Sequence, residues 1–250
     1  MPRQPKSEKT AIFRLFASLL LPLMYFLARY RVHGEQNIPK TGAFVLAPNH
    51  YSNIDPIVIG LGLWRLNRMP RYMAKSSLFR IPVVGYLLRK AEQIPVERAG
   101  RDREGDPLEQ AKRIAAAGHA VVVYPEGSLT RDPGSWPMRG KYGAVRTALG
   151  AGIPLIPAAS WGAQLILPRY SNRLSLFPRK TVDIIFGEPV DLSEFGGKTD
   201  TQTLARATEK LMSAITVLLE GLRDEKAPAE RWNPAEHGQT EIGKFAPPAT

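Results

Sequence analysis

The residues best suited to do chemistry are His50 and Asp55, in the run Asn49-His50-Tyr51-Ser52-Asn53-Ile54-Asp55-Pro56. An imidazole that donates Nδ1–H to a carboxylate is fixed in one tautomer, and Nε2 becomes the more basic nitrogen. Positions five apart do not share a helix face, where neighbours fall at three and four. The chain must therefore turn between the two side chains. The pair is a base and its orienter, and it brings no nucleophile. There is no Cys in the chain, which excludes disulfides, thiolate catalysis and cysteine zinc sites. Ser52 is too close in sequence to His50, and no Gly-x-Ser-x-Gly elbow occurs. The hydroxyl that loses its proton is expected to come from a substrate. Only four His are present, none at metal-ligand spacing, so no metal and no cofactor are expected.

The elements that must position this pair are legible nearby. Residues 43–47 are continuously apolar and read as a short buried strand, ended by Pro48 and Asn49. His50 then falls in the following loop, and Asp55 at the start of the helix that Pro56 opens. Asp55 is expected to be the N-cap, with Pro56 at the first helical position, where no backbone N–H is needed. In the other register Ser52 caps and Asp55 sits three residues on, as in a capping box.

A second buried strand, residues 120–124, stops at Pro125-Glu126-Gly127-Ser128. Gly127 permits an αL backbone or close approach of a ligand. Glu126 is expected to hydrogen-bond a substrate hydroxyl or to orient an arginine. Lys75, Arg98 and Arg131 are candidates for a phosphate clamp, arginine as a bidentate donor and lysine as a point charge. Arg98 ends a short strand, residues 93–98. Further strands are expected over 153–159 and 181–186, and helices over 56–66, 105–118, 140–149 and 199–222. Strands alternating with helices imply an α/β fold with a mostly parallel central sheet flanked by helices. Ligands in such sheets collect beyond the carboxyl ends of the strands, where His50, Glu126 and Arg98 all fall.

The formal net charge of +11 over 250 residues favours anionic partners. Residues 15–28 are uncharged and apolar, bracketed by Arg14 and Arg29. They are too few for a span of about 20 residues. They read either as an interfacial helix in the headgroup layer or as a buried core helix. No small-residue cleavage site follows, so a signal peptide is not expected. Between Arg65 and Arg103 there are ten Lys or Arg against three Asp or Glu. Within that stretch, residues 76–89 offer an apolar face with cationic ends, suited to an anionic membrane surface or else packed inward. The expected organisation is a membrane-associating segment over 1–30, a catalytic domain over 31–223 and a flexible tail over 224–250, polar and Pro-rich.

Four blocks carry a family resemblance. Asn-His-Tyr-Ser-Asn-Ile-Asp, Ile-Pro-Val-Glu-Arg, Tyr-Pro-Glu-Gly-Ser and Ile-Pro-Leu-Ile-Pro-Ala, in this order, resemble the motifs of the 1-acylglycerol-3-phosphate acyltransferase family. His50 and Asp55 match its His-x4-Asp motif, Arg98 its second block, and Pro125 to Ser128 its third. Lys75 looks like the lysine ahead of the second block. The family's arginine after Gly-Thr falls on Leu129, so the nearest arginine is Arg131, and Arg139 and Lys141 are further candidates for the phosphate. The resemblance spans residues 30–190. It implies transfer of a fatty acyl group from acyl-CoA or acyl carrier protein to the free hydroxyl of a lysophospholipid acceptor, with His50 as base and Asp55 as its orienter. Lys75, Arg98 and Arg131 would hold the acceptor phosphate, and Glu126, Gly127 and Ser128 would shape the acceptor site. It also implies a peripheral or monotopic position at the cytoplasmic face of the cell membrane, on an anionic surface. Two other readings remain open. One is a hydrolase using the same pair on water. The other is a basic nucleic-acid-binding protein, although the aromatics form no stacking platform and no nucleic acid is expected.

Overall fold

The computed structural model describes residues 8–96 and 113–240. Its strands are β1 (Ala28–His33), β2 (Phe44–Pro48), β3 (Pro70–Lys75), β4 (Ile94–Val96), β5 (Ala120–Val122), β6 (Leu155–Trp161) and β7 (Lys180–Phe186). They form one seven-stranded sheet in the order β1-β7-β6-β2-β5-β3-β4. Every neighbouring pair is parallel except β6 with β7. The mostly parallel sheet expected from the sequence is thus present, with one antiparallel pairing inside it.

Continuous apolar strands are what a sheet covered on both faces requires. Along β2, Phe44 and Leu46 point to one face and Val45 and Ala47 to the other. The first face is covered by α1 (Ala11–Leu27) and α2 (Asp55–Arg65), through Met24, Leu27, Val58, Ile59 and Leu61. α3 (Pro82–Lys90) follows β3 after a 3-10 turn, Ser76–Arg80, and residues 113–117 are helical (α4) up to Gly118. The second face is covered by α5 (Gly143–Ala151) and α6 (Thr201–Arg223). In α6 the buried residues Leu204, Ala207, Leu211, Ile215 and Leu219 recur at three and four, the spacing of one helix face. Asp200 caps this helix by accepting the Thr203 amide at 3.0 Å.

α1 is buried along one side and exposed along the other. Met24 and Leu27 are buried and Leu21 packs on the core, whereas Leu15, Leu19, Leu23 and Phe26 are exposed. Its start is tied down by Glu8, which pairs with the buried Arg68 at 2.6 Å. Its end passes straight into edge strand β1. Among the described residues no helix is long and apolar enough to cross a membrane. In the segment after β3, Leu78, Ile81, Val83, Val84 and Tyr86 are exposed, whereas Phe79, Leu87 and Leu88 are partly buried.

Residues 224–240 depart from the expected flexible tail. Arg231 bonds Thr216 Oγ1 at 2.9 Å and Glu209 at 2.8 Å on α6. Trp232 stacks on His237 with ring centroids 3.5 Å apart. Pro234 is buried in the short turn Pro234–His237. A few large anchors suffice to order a polar, Pro-rich strap, because each docks against a helix or loop already in place. Residues 241–250 lie outside the described residues, as do the expectations for Arg98 and for residues 105–112.

Candidate active site

β2, β5 and β3 are neighbours and parallel, so their carboxyl ends open on one side. There, a cavity of about 710 Å³ is lined by His50, Asn53, Pro56, Tyr72, Leu88, Tyr124, Gly127, Ser128, Leu129 and Lys141, among others. It lies where ligands of open parallel sheets collect.

His50 enters this cavity and is held from several directions. Its Nδ1 lies 2.9 Å from Asp55 Oδ2. Its ring stacks on Tyr124 at 4.1 Å. Its amide donates to Glu126 Oε1 at 2.9 Å, and its carbonyl accepts the Thr130 amide at 2.7 Å. The His50 side chain is 17% exposed and that of Asp55 is 0%. Asp55 Oδ2 also accepts the amides of Tyr51 at 2.7 Å and Ser52 at 2.8 Å. Backbone amides only donate, so Oδ2 is an acceptor and the proton of the His50 contact sits on Nδ1. In the neutral imidazole the lone pair is then on Nε2, across the ring.

The cap register differs from the expected one. Ile54 is the N-cap, and Asp55 and Pro56 open α2. Asp55 does not cap forward. Its carboxylate reaches back over the loop, as the N3 residue of a capping box does toward its N-cap amide. Three convergent donors on one oxygen hold it there. The forward half of that box is replaced: the Asp55 amide donates to the Ser52 carbonyl at 3.1 Å, and Ser52 Oγ donates to Leu167 O at 2.7 Å. Asn49 ties the end of β2 to β6 by exchanging bonds with Ser160, at 3.2 and 2.9 Å. Its side chain and those of Thr130 and Tyr124 were not singled out from sequence. Their roles depend on partners remote in the chain, although Asn49 and Tyr124 each open one of the quoted blocks.

Glu126 is fully buried. Oε1 accepts the His50 amide and Oε2 the Met138 amide, the latter at 3.0 Å. Burial pushes its carboxyl up to about 8, against the opposing pull of those amides. Its carboxylate thus ties the His50 loop to the Met138 segment, and Glu126 also borders a smaller cavity. Gly127 has φ 71° and Ser128 lines the cavity.

The phosphate candidates separate. Arg131 is 4% exposed and donates to Thr240 Oγ1 at 3.2 Å, beneath the C-terminal strap. It is absent from the wall of the His50 cavity, because the chain beyond Leu129 turns under that strap. Lys75 ends β3, on the cavity side of the sheet, and its side chain lies outside the described residues. Arg98 lies outside them too. Arg139 borders a second, smaller cavity with Glu126, Tyr142 and Pro234, whereas Lys141 borders both.

Comparison with known proteins identifies related chains and a related fold. A family model described as Acyltransferase matches residues 29–161. A 1-acyl-sn-glycerol-3-phosphate acyltransferase of Bacillus subtilis (strain 168) is 30% identical over 207 residues, 83% of this chain and 96% of that one. One of the same name from Haemophilus influenzae is 28% identical over 198 residues, covering 77% and 75%. The crystal structure of the 1-acyl-sn-glycerophosphate (LPA) acyltransferase, PlsC, from Thermotoga maritima superposes with a TM-score of 0.63 at 23% identity. It covers 91% of this chain and 86% of that one, a likeness of fold.

Proposed function

The chain belongs to the 1-acyl-sn-glycerol-3-phosphate acyltransferase family, and from that membership we propose that it moves a fatty acyl group from a thioester to the free hydroxyl of 1-acylglycerol-3-phosphate, forming phosphatidic acid. The observation that carries the reading is the His50–Asp55 contact of 2.9 Å at the wall of a large cavity. Nε2 of His50 takes the hydroxyl proton as the acceptor oxygen attacks the thioester carbonyl carbon. The C–S bond breaks, and the leaving thiolate takes that proton back from His50. General base catalysis of this kind contributes about 10²–10⁴-fold. Ser52 is buried and bonded to Leu167 O, which supports direct transfer without an acyl-enzyme at that serine.

Lys75 and Arg98 hold the acceptor phosphate in this reading, on the strength of the motif match. Gly127 and Ser128 shape the acceptor side of the cavity. The donor is acyl-CoA or acyl carrier protein. The exposed apolar faces of α1 and of residues 78–86 dock the protein on an anionic membrane surface at its cytoplasmic side, with cationic side chains at the edges. The test is incubation with a labelled acyl thioester and a panel of lysolipids, with products identified by mass. Phosphatidic acid is expected. Thioester loss at the same rate without acceptor would replace transfer by hydrolysis.

A further inference from the structure

We infer that the loop between β6 and β7, residues 162–179, inserts its apolar tip into an anionic bilayer, an inference that extends the membrane docking proposed above to a further element. Leu174, Leu176 and Phe177 are exposed on this loop, and Phe177, at 71%, is the most exposed large apolar side chain among the described residues. Apolar side chains grouped in this way on a surface mark a contact. Residues 162–182 contain four Lys or Arg and no Asp or Glu. An apolar tip with cations beside it and no acid fits the headgroup layer of an anionic bilayer.

The tip continues the outer face of α1. The Phe177 ring meets Phe26 edge-on, with centroids 5.9 Å apart. Leu19, Leu23 and Phe26 are exposed at spacings of four and three, so they form one stripe along the helix. This surface lies at the active-site end of the sheet. β6 runs parallel to β2 and so ends on the side where β2 delivers His50, and β7 and β1 begin on that side. The loop is also braced. The Ser175 amide donates to Ile166 O at 2.8 Å, and Lys180 Nζ donates to Ser175 O at 2.9 Å. Ser175 is thereby drawn in, and its neighbours Leu174 and Leu176 are turned out. Arg179 donates to Ala28 O at 3.2 Å, where α1 meets β1. Toward the site, Leu167 O accepts Ser52 Oγ at 2.7 Å, and Arg169 donates to Thr130 O at 3.0 Å. Those two residues flank His50, whose carbonyl accepts the Thr130 amide. A tip held this way keeps its leucines outward, and its depth in the lipid fixes the height of the His50 loop over the headgroups.

The chain has no Cys, so Leu174→Cys and, as the reference, Val217→Cys on the exposed side of α6 each take a single environment-sensitive fluorophore. The probe is a vesicle of phosphatidylcholine and phosphatidylglycerol, with neither substrate present. The Leu174→Cys label should shift to the blue and be quenched by nitroxide-bearing lipid, and the Val217→Cys label should do neither. In the unlabelled protein, Leu174→Ser with Leu176→Ser should weaken vesicle binding by about tenfold or more and leave Tm in place, since both side chains are exposed. A Leu174→Cys label that stays in water, equal binding by the double variant, or no vesicle binding by the wild type would overturn the inference. So would a dimer in solution that the double variant dissolves while vesicle binding is unchanged, which would give the surface to a second copy. None of these readouts needs turnover. A protein that makes no phosphatidic acid but buries the Leu174→Cys label would refute the reaction and support the loop.

Discussion

Asp55→Asn is the most informative single change, because the loop itself determines how the amide must sit. Asp55 Oδ2 receives two backbone amides and His50 Nδ1. The amides of Tyr51 and Ser52 can only donate, so the asparagine carbonyl must take the Oδ2 position. His50 then keeps its tautomer, and what is lost is the negative charge. A charge-assisted bond is worth about 1.5–3 kcal/mol against about 0.5–1.5 for a neutral one. The imidazolium forming in the transition state adds Coulomb stabilisation of up to about 4 kcal/mol at an effective dielectric of 20. A loss of about 3–4 kcal/mol lowers kcat by about 10²–10³ at 1.36 kcal/mol per decade. The asparagine NH₂ meanwhile occupies the place of Oδ1, an oxygen with no hydrogen-bond partner among the described residues. A buried unsatisfied donor costs about 1–3 kcal/mol, so Tm should fall by roughly 2–12 °C while the protein still folds. Thiol release under saturating donor and acceptor, with circular dichroism alongside, reads both quantities. A folded Asp55→Asn protein that keeps kcat within about fivefold of wild type would refute the reasoning.

Three further outcomes are expected. Glu126 holds its proton to about pH 8 when folded and loses it near 4.5 when unfolded. The folded state therefore binds more protons across that window, and this group's contribution to stability falls as pH rises through it. Wild-type Tm should decline from pH 5 to 8 more steeply than that of Glu126→Gln, and parallel slopes would count against it. Removing residues 225–250 should lower Tm by about 5 °C or more and raise acceptor KM, since it strips Trp232 from the Arg139 amide; a truncated protein matching wild type would show the strap to be idle. Leu19→Glu with Phe26→Glu, both exposed on α1, should move the protein from pelleted anionic vesicles to the supernatant without lowering Tm, and undiminished pelleting would refute docking by that face. Point changes are needed there because deletion of the first 30 residues would also remove part of β1 and the Glu8–Arg68 pair.

How far the chain could be read in advance follows from where each partner lies. His50 and Asp55 are five apart, so their contact belongs to one loop and its spacing announces it. The β2 and β5 strands were legible because a strand buried on both faces is apolar throughout. Strand order and the antiparallel β6–β7 pairing were not, since pairing partners leave no local mark. Glu126 looked like a turn residue with a free carboxylate, because its partners at positions 50 and 138 are far away in sequence. Arg131 and Lys141 are equally cationic on paper, and only the course of the chain under the strap sends one inside and brings the other to the cavity. The strap itself was misread from composition: Arg231, Trp232 and Pro234 are few, and an average over a polar segment hides them.

The two oxygens of Glu126 join the stretch that carries the base to the stretch that leads to Lys141. An insertion or deletion between Met138 and Lys141 would pull on the His50 amide through that one carboxyl group, so the length of this loop bears on where the imidazole sits.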